Sequence, residues 1–144
     1  MPWTDAQIAV MTNGSRWIGV RAALEAPDWI SSKRLGELLM LPDGVPAVPR
    51  PEPDHALRAA RRALRILSWI PGGRWRTSCL YESVAECLTL RRSGVPAAVC
   101  IGVKRVANGE AGISAHAWVA RNKADTRFHG FSTMELLDQL RGQR

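Results

Sequence analysis

Hydrophobic residues recur every three to four positions through the first part of the chain, which is the spacing of helices that bury one face. This pattern predicts one or two short helices over residues 4–26, with a break at Asn13-Gly14 and an end at Pro27. It then predicts a second helix, capped by a serine, over residues 31–40.

Two longer helices with the same spacing are predicted next. One begins at Asp54, a good N-cap, and is stopped by Pro71-Gly72-Gly73. The other covers residues 79–92 and is closed by Gly94 in a left-handed conformation. The apolar face of the first of these helices holds Leu57, Ala60, Ala63, Leu64, Leu67 and Ile70.

After Gly94 the hydrophobic period changes to that of strands. Residues 97–103 are apolar and partly β-branched, which predicts a buried strand. A turn at residues 108–112 and a second strand at 113–121 are predicted next. Another turn at 122–123, a third strand at 126–131 and a final helix at 133–141 complete the predicted elements. Helices followed by an antiparallel sheet make an α+β fold.

Five prolines between residues 42 and 53 mark the clearest boundary in the chain. Such a segment is stiff and extended, and therefore acts as a connector. We accordingly predict that residues 1–53 form an N-terminal helical appendage with this connector, and that residues 54–144 form one globular core. The chain of 144 residues is long enough for a single domain with a modest core.

Net charge, cysteine content and the absence of certain motifs argue against several classes of function. The net charge is +7, but the arginines are scattered and no nucleic-acid-binding motif occurs, so we do not expect nucleic-acid binding. Three cysteines without disulfide spacing indicate a reducing compartment. The sequence contains no zinc-ligand pair, nucleotide-binding loop, signal peptide or apolar run that could span a membrane. We expect a cytoplasmic protein without a metal or other cofactor.

Cys79 stands at the predicted start of the 79–92 helix, directly after a loop. Unpaired backbone N–H groups at a helix N-terminus favour negative charge, and a thiol that becomes a thiolate is a nucleophile. Cys87 and Cys100 lie inside apolar segments, as expected of structural cysteines. The position makes Cys79 the candidate nucleophile, with a structural role as the alternative.

His116 lies in the second predicted strand between two alanines, which leave room beside an imidazole. Strand alternation places His116 and Trp118 on the same face of the sheet. An imidazole can accept the thiol proton and later donate a proton to a leaving amine. We therefore predict that Cys79 and His116 meet as nucleophile and base of a cysteine hydrolase.

A third side chain is expected to hold the imidazole in the useful tautomer. Asp125 has the expected carboxylate, but a two-residue turn at 122–123 places it roughly 13 Å along the strands from His116. With that turn, His129 lies directly opposite His116. A longer turn, through Asp125, shifts the pairing but keeps His129 on the same face. Geometry favours His129, chemistry favours Asp125, and a structural role is open for both.

Several short motifs follow one another in the second half of the chain. They are Cys79-Leu80 at a helix start, Arg91-Arg92, Gly94-Val95-Pro96-Ala97, Ile101-Gly102-Val103 and His116-Ala117-Trp118-Val119. In this order they resemble the B2 leader peptidases of lasso-peptide biosynthesis, which belong to the transglutaminase-like, papain-like cysteine hydrolase superfamily. The resemblance implies a core in which the helix bearing the cysteine packs on a small antiparallel sheet bearing the histidine.

The resemblance also implies an activity and partners. It makes Cys79 the nucleophile and His116 the general base of a cysteine peptidase that removes the leader from a ribosomally made lasso precursor through a thioester. The family's aspartate is expected on the strand after His-Ala-Trp-Val, where this chain has Phe128 and His129, with Asp125 earlier. The implied partners are the precursor peptide, a separate small leader-recognition protein and a lasso cyclase.

Three aromatic residues are candidates for a substrate groove, with packing in the core as the alternative: Trp75, Tyr81 and Trp118. Two other functions remain open. One is another transglutaminase-like activity, such as an acyltransferase or amidase, with the same cysteine and histidine. The other is a peptide-binding module that kept the fold without the chemistry.

Overall fold

The computed structural model describes residues 5–41, 53–105, 112–122 and 132–133. The order of elements is helical first and then β, so the fold is α+β as predicted. The helices are α1 (Asp5–Ser31), α2 (Leu35–Leu38), α3 (Asp54–Leu67) and α4 (Cys79–Arg92), and the strands are β1 (Ala98–Arg105), β2 (Ile113–Ala120) and β3 (Ser132–Thr133).

The N-terminal helix differs from its prediction. α1 is one continuous helix, with Asn13-Gly14 and Pro27 inside it. Because α1 packs against both α3 and α4, tertiary contacts outweigh the weak helix propensity of these residues. Ser31 closes this helix instead of starting the next one, since its hydroxyl donates to the Pro27 carbonyl over 2.8 Å. The predicted 31–40 helix is therefore only the four residues of α2.

α3 begins at Asp54 as predicted, with Pro53 as its N-cap, but it ends at Leu67. The chain then turns away, and the Ser68 hydroxyl donates to the Arg65 carbonyl over 2.7 Å. Ile70, which the helical pattern assigned to the apolar face, is 48% exposed. The packed part of the face is shorter than predicted and holds Ala56, Leu57, Ala60 and Leu64.

The sheet has the strand order β2-β1-β3, and both pairings are antiparallel. In this register Gly102 lies between His116 on one side and Thr133 on the other. Thr133 therefore belongs to a strand, not to the start of the predicted final helix. The rest of that helix, the predicted third strand at 126–131 and most of the turn at 108–112 lie outside the described residues.

One hydrophobic core joins the N-terminal helices to α4 and the sheet. The buried residues of this core are Ala22, Ala26, Trp29, Leu38, Leu57, Val84, Ala85, Cys87, Leu88, Leu90, Ala97 and Val99. Residues on both sides of the proline-rich segment thus share the same interior. Most of that segment, residues 42–52, is outside the described part of the chain, and the division at residue 53 stays a prediction.

Within the described ranges, none of the helices combines the length and the apolar character that crossing a lipid bilayer requires.

Candidate active site

Cys79 is the first residue of α4, as predicted, and is partly exposed to solvent. Ser78 precedes it in an extended conformation, and the Ser78 carbonyl accepts the Glu82 N–H over 3.0 Å, which is the first turn of the helix. The Ser78 side chain makes no capping hydrogen bond. The backbone N–H groups of the first turn thus lack both intrahelical acceptors and a cap from this side chain, and they favour negative charge at this end of α4.

The loop before Cys79 is fastened to α1. The Trp75 indole Nε1–H donates to the Ala23 carbonyl over 3.1 Å. Next to it, the Arg74 guanidinium donates to the Asp28 carboxylate over 2.8 Å and to the Ser31 hydroxyl over 3.3 Å. The C-terminal turns of α1 therefore position the segment that leads into the candidate nucleophile.

Pro27 explains why the Ala23 carbonyl is available to Trp75. In an α-helix the carbonyl of residue 23 would accept the N–H of residue 27, but proline has no N–H. The indole of Trp75 supplies the missing donor from another part of the chain. Proline inside an otherwise helical apolar pattern is a signal for such an orphan carbonyl, although the sequence does not say which donor satisfies it.

We predict that Trp75→Phe lowers the free energy of unfolding by about 1 to 2 kcal/mol, because it leaves the Ala23 carbonyl without its donor. In a Pro27→Ala background the backbone N–H of residue 27 replaces that donor, so Trp75→Phe is expected to cost less. Urea unfolding of the four proteins measures the difference. Trp69→Phe is the matched control, since Trp69 is 75% exposed. An equal cost in both backgrounds would contradict the role of the indole N–H.

His116 lies in β2, opposite Gly102, and is partly buried. Its imidazole stacks on the Trp118 ring, with centroids 6.2 Å apart and planes at 19°, which confirms that the two residues share a face. α4 packs against both β2 and β1. The structure thus brings the elements that carry Cys79 and His116 into contact, and no bond between those two side chains is among the described contacts.

The candidates for the third catalytic position, Asp125 and His129, both lie outside the described residues, as does Phe128. β3, the described strand that follows β2, pairs with β1 and not with β2. Two strand spacings, about 10 Å, therefore separate the backbones of β3 and β2.

The three aromatic candidates for a substrate groove are all buried or partly buried. Trp75 is half-buried and bonded to α1, and Tyr81 is half-buried against the hydrophobic core. Trp118 is only 8% exposed. These positions favour a packing role for each side chain, and their contact with a substrate stays a prediction.

Cys87 differs from Cys79 in its surroundings. It is fully buried in the middle of α4, and this burial raises the pKa of the Cys87 thiol from 9.0 to about 11. At neutral pH it is a protonated, unreactive thiol, as its apolar position in the sequence predicts. Cys87 is therefore a natural internal control for the reactivity of Cys79.

The raised pKa of Cys87 predicts a loss of stability in alkali. Below pH 9 the thiol is protonated in the folded and unfolded states alike, whereas above pH 9 only the unfolded chain releases the proton. The free energy of unfolding is thus expected to lose about 2 to 3 kcal/mol between pH 9 and about 11. Urea titrations across this range should show a weaker pH dependence in Cys87→Ala than in the parent protein.

The basic pair at the end of α4 ties distant backbone segments together. The Arg91 guanidinium donates to the carbonyls of Ala97, Glu37 and Met40 over 2.7, 3.0 and 2.6 Å. The Arg92 guanidinium bonds the Glu25 carboxylate of α1.

Burial opposes ionisation of Glu25, but its bonds to Arg92 and Arg21 prevail and lower the pKa of that carboxyl. Arg91-Arg92, the basic motif just before Gly94, therefore has a structural role.

The comparisons with known proteins agree with this architecture. The family model for the transglutaminase-like superfamily matches residues 18–130, which include the C-terminal half of α1 and all of α2, α3, α4, β1 and β2. Searches of curated proteins and of solved structures each gave no significant match. The superfamily includes cysteine peptidases and acyl transferases, and its members are typically cysteine-based enzymes. Since the match covers most of the chain, this protein belongs to the transglutaminase-like superfamily.

Proposed function

We propose that this protein is a cysteine peptidase that removes the leader from a ribosomally made lasso-precursor peptide. The observation that carries the proposal is the position of Cys79 as the first residue of α4, a helix that packs on the strand bearing His116. The order of the sequence motifs from Cys79-Leu80 to His116-Ala117-Trp118-Val119 supports the leader peptidases among the members of the superfamily.

The chemistry is a transfer of the leader's acyl group, first to sulfur and then to water. The Cys79 thiolate attacks the carbonyl carbon at the leader–core junction, and backbone N–H groups in the first turn of α4 stabilise the oxyanion. His116 takes the thiol proton and gives it to the departing amine of the core peptide. Water then attacks the Cys79 thioester, which releases the leader as a free acid and restores the thiol.

The proposed partners follow from the proposed substrate. A separate small leader-recognition protein presents the precursor to this enzyme, and a lasso cyclase consumes the core peptide with its freed amine. Any nucleotide requirement belongs to the cyclase, because the sequence of this chain contains no nucleotide-binding loop. Asp125 and His129 are the proposed alternatives for the residue that orients His116.

The proposal is tested by incubating the protein with the precursor and the recognition protein and following leader release by mass spectrometry. We expect cleavage by the parent protein and by Cys87→Ala, and none by Cys79→Ala. Cleavage by Cys79→Ala would overturn the proposed mechanism. A leader that leaves attached to an added amine, with little free acid, would instead identify an acyltransferase of the same superfamily.

A further inference from the structure

A cavity of about 560 Å³ opens beside the first turn of α4. Its lining includes Arg61 and Arg65 of α3 and Trp69, which follows that helix. It also includes Thr77 and Glu82, which lie just before and within the first turn of α4. Thr77 lies two positions before the candidate nucleophile, and Glu82 lies three positions after it. The cavity thus adjoins the turn that carries Cys79.

The polar groups of the cavity differ in whether a partner within the protein already satisfies them. Arg61 is bonded to the Glu86 carboxylate over 3.2 Å. Within the described ranges neither the Arg65 guanidinium nor the Glu82 carboxylate forms an ion pair. Among the described residues, the cavity therefore presents one cation and one anion that are open to solvent and not engaged in an ion pair, together with the hydroxyl of Thr77.

One of the side chains that line the cavity is a solvent-exposed tryptophan. Trp69 lines the cavity and is 75% exposed, and its neighbours Ile66 and Ile70 are 55% and 48% exposed. A cluster of large apolar side chains that remains open to water is typical of an interaction site. Indole rings in particular are enriched among the residues that dominate binding energy.

We propose that this cavity is a subsite for the peptide substrate and binds a segment with an acidic and an apolar side chain. This inference rests on the proposed peptidase function. The Arg65 guanidinium binds the substrate carboxylate, and the exposed face of Trp69 packs against the apolar side chain. Glu82 accepts a backbone N–H of the segment, a contact that a peptide can make and an inorganic anion cannot.

The charge of α3 selects an acidic segment over a basic one. Four arginines lie on this helix and only one acidic residue, Asp54, which is in the first turn at the far end from Trp69. The substrate carboxylate therefore enters a positive field that raises its local concentration and orients the segment. The arginines of this helix are Arg58, Arg61, Arg62 and Arg65.

Binding is measured with Cys79→Ala protein, so that no cleavage occurs. The probe is a short fluorescein-labelled peptide rich in glutamate and leucine, and its partner is the same peptide with every glutamate replaced by glutamine. We expect fluorescence anisotropy to show that the glutamate peptide binds about tenfold more tightly. Arg65→Glu should abolish this preference, whereas Arg62→Glu, the matched control outside the cavity, makes the same change to the charge of α3 and should lower the preference only slightly.

A third peptide and a third variant complete the experiment. A lysine version of the peptide should bind Arg65→Glu more tightly than it binds the parent, and Trp69→Ala should weaken binding of all versions. An equal loss in Arg62→Glu and Arg65→Glu would attribute the preference to general surface charge and overturn the subsite. Arg65-dependent binding without any leader cleavage would refute the peptidase function alone, while cleavage that is indifferent to Arg65→Glu would refute the subsite alone.

Discussion

Replacing His116 with alanine is expected to slow leader release by about a thousandfold. The substitution removes the group that takes the proton from the Cys79 thiol and later protonates the core amine, two steps for which water is a poor substitute. Truncation leaves the strand itself intact, since His116 is only partly buried in β2 and its backbone pairs with Gly102. Initial rates of leader release, followed by mass spectrometry under saturating recognition protein, give the comparison.

The control for this experiment is His55→Ala. His55 is exposed on α3 and lies outside the proposed site, so its replacement should leave the rate unchanged. Both variants should unfold at the temperature of the parent to within a few degrees, about what a surface substitution produces. A folded His116→Ala protein that retains a rate within about tenfold of the parent would contradict the assignment of His116 as the base.

Replacing Gly19 with alanine is expected to destabilise the fold by about 3 kcal/mol or more. Gly19 lies where α1 crosses α3, and a Cβ built on it would come within 2.8 Å of the Ala60 nitrogen and closer still to the Ala56 carbonyl oxygen. These are backbone atoms of a packed helix and cannot rotate away. The two helices must separate, which opens the core they share. Thermal or urea unfolding measures the loss.

Gly14→Ala is the matched control for this prediction. Gly14 is in the same helix, but a Cβ added there meets nothing within 4 Å. The same substitution should therefore stabilise α1 by about 0.5 to 1 kcal/mol, through the higher helix propensity of alanine. Destabilisation of the protein by both substitutions to the same extent would show that helix crossing is not the cause.

The sequence predicted α4 well because its two ends carry local chemistry. Loop residues precede Cys79, and Gly94 adopts φ +81° directly after the helix, as the left-handed cap predicts. The two long strands were also foreseen, because β-branched and alternating apolar residues specify them without help from distant parts of the chain. The helix bearing Cys79 and the strand bearing His116 could therefore be placed before their packing was known.

The prediction was wrong where distant parts of the chain decide the structure. α1 continues through Asn13-Gly14 and Pro27 because packing on α3 and α4 stabilises it, and a single segment contains no sign of that contact. The hydrogen bond from Trp75 to the Ala23 carbonyl spans 52 positions, so local patterns cannot reveal it. For the same reason the cavity between α3 and the first turn of α4 was not foreseen.

The architecture also changes the significance of α1 for the proposed site. α1 supplies the Ala23 carbonyl and the Asp28 carboxylate that hold Trp75 and Arg74. The loop that leads into Cys79 thus depends on a helix more than forty positions earlier. The match to the superfamily begins at residue 18, within this helix.

In the proposed mechanism Cys79 carries the leader as a thioester during the reaction. Rapid acid quenching of the enzyme with its precursor, followed by intact-mass and fragment analysis, tests this claim directly. We expect a species heavier than the enzyme by the leader minus one water, with the addition on the fragment that contains Cys79, and no such species in Cys79→Ala. An addition on Cys87 or Cys100, or leader release by Cys79→Ala, would contradict it.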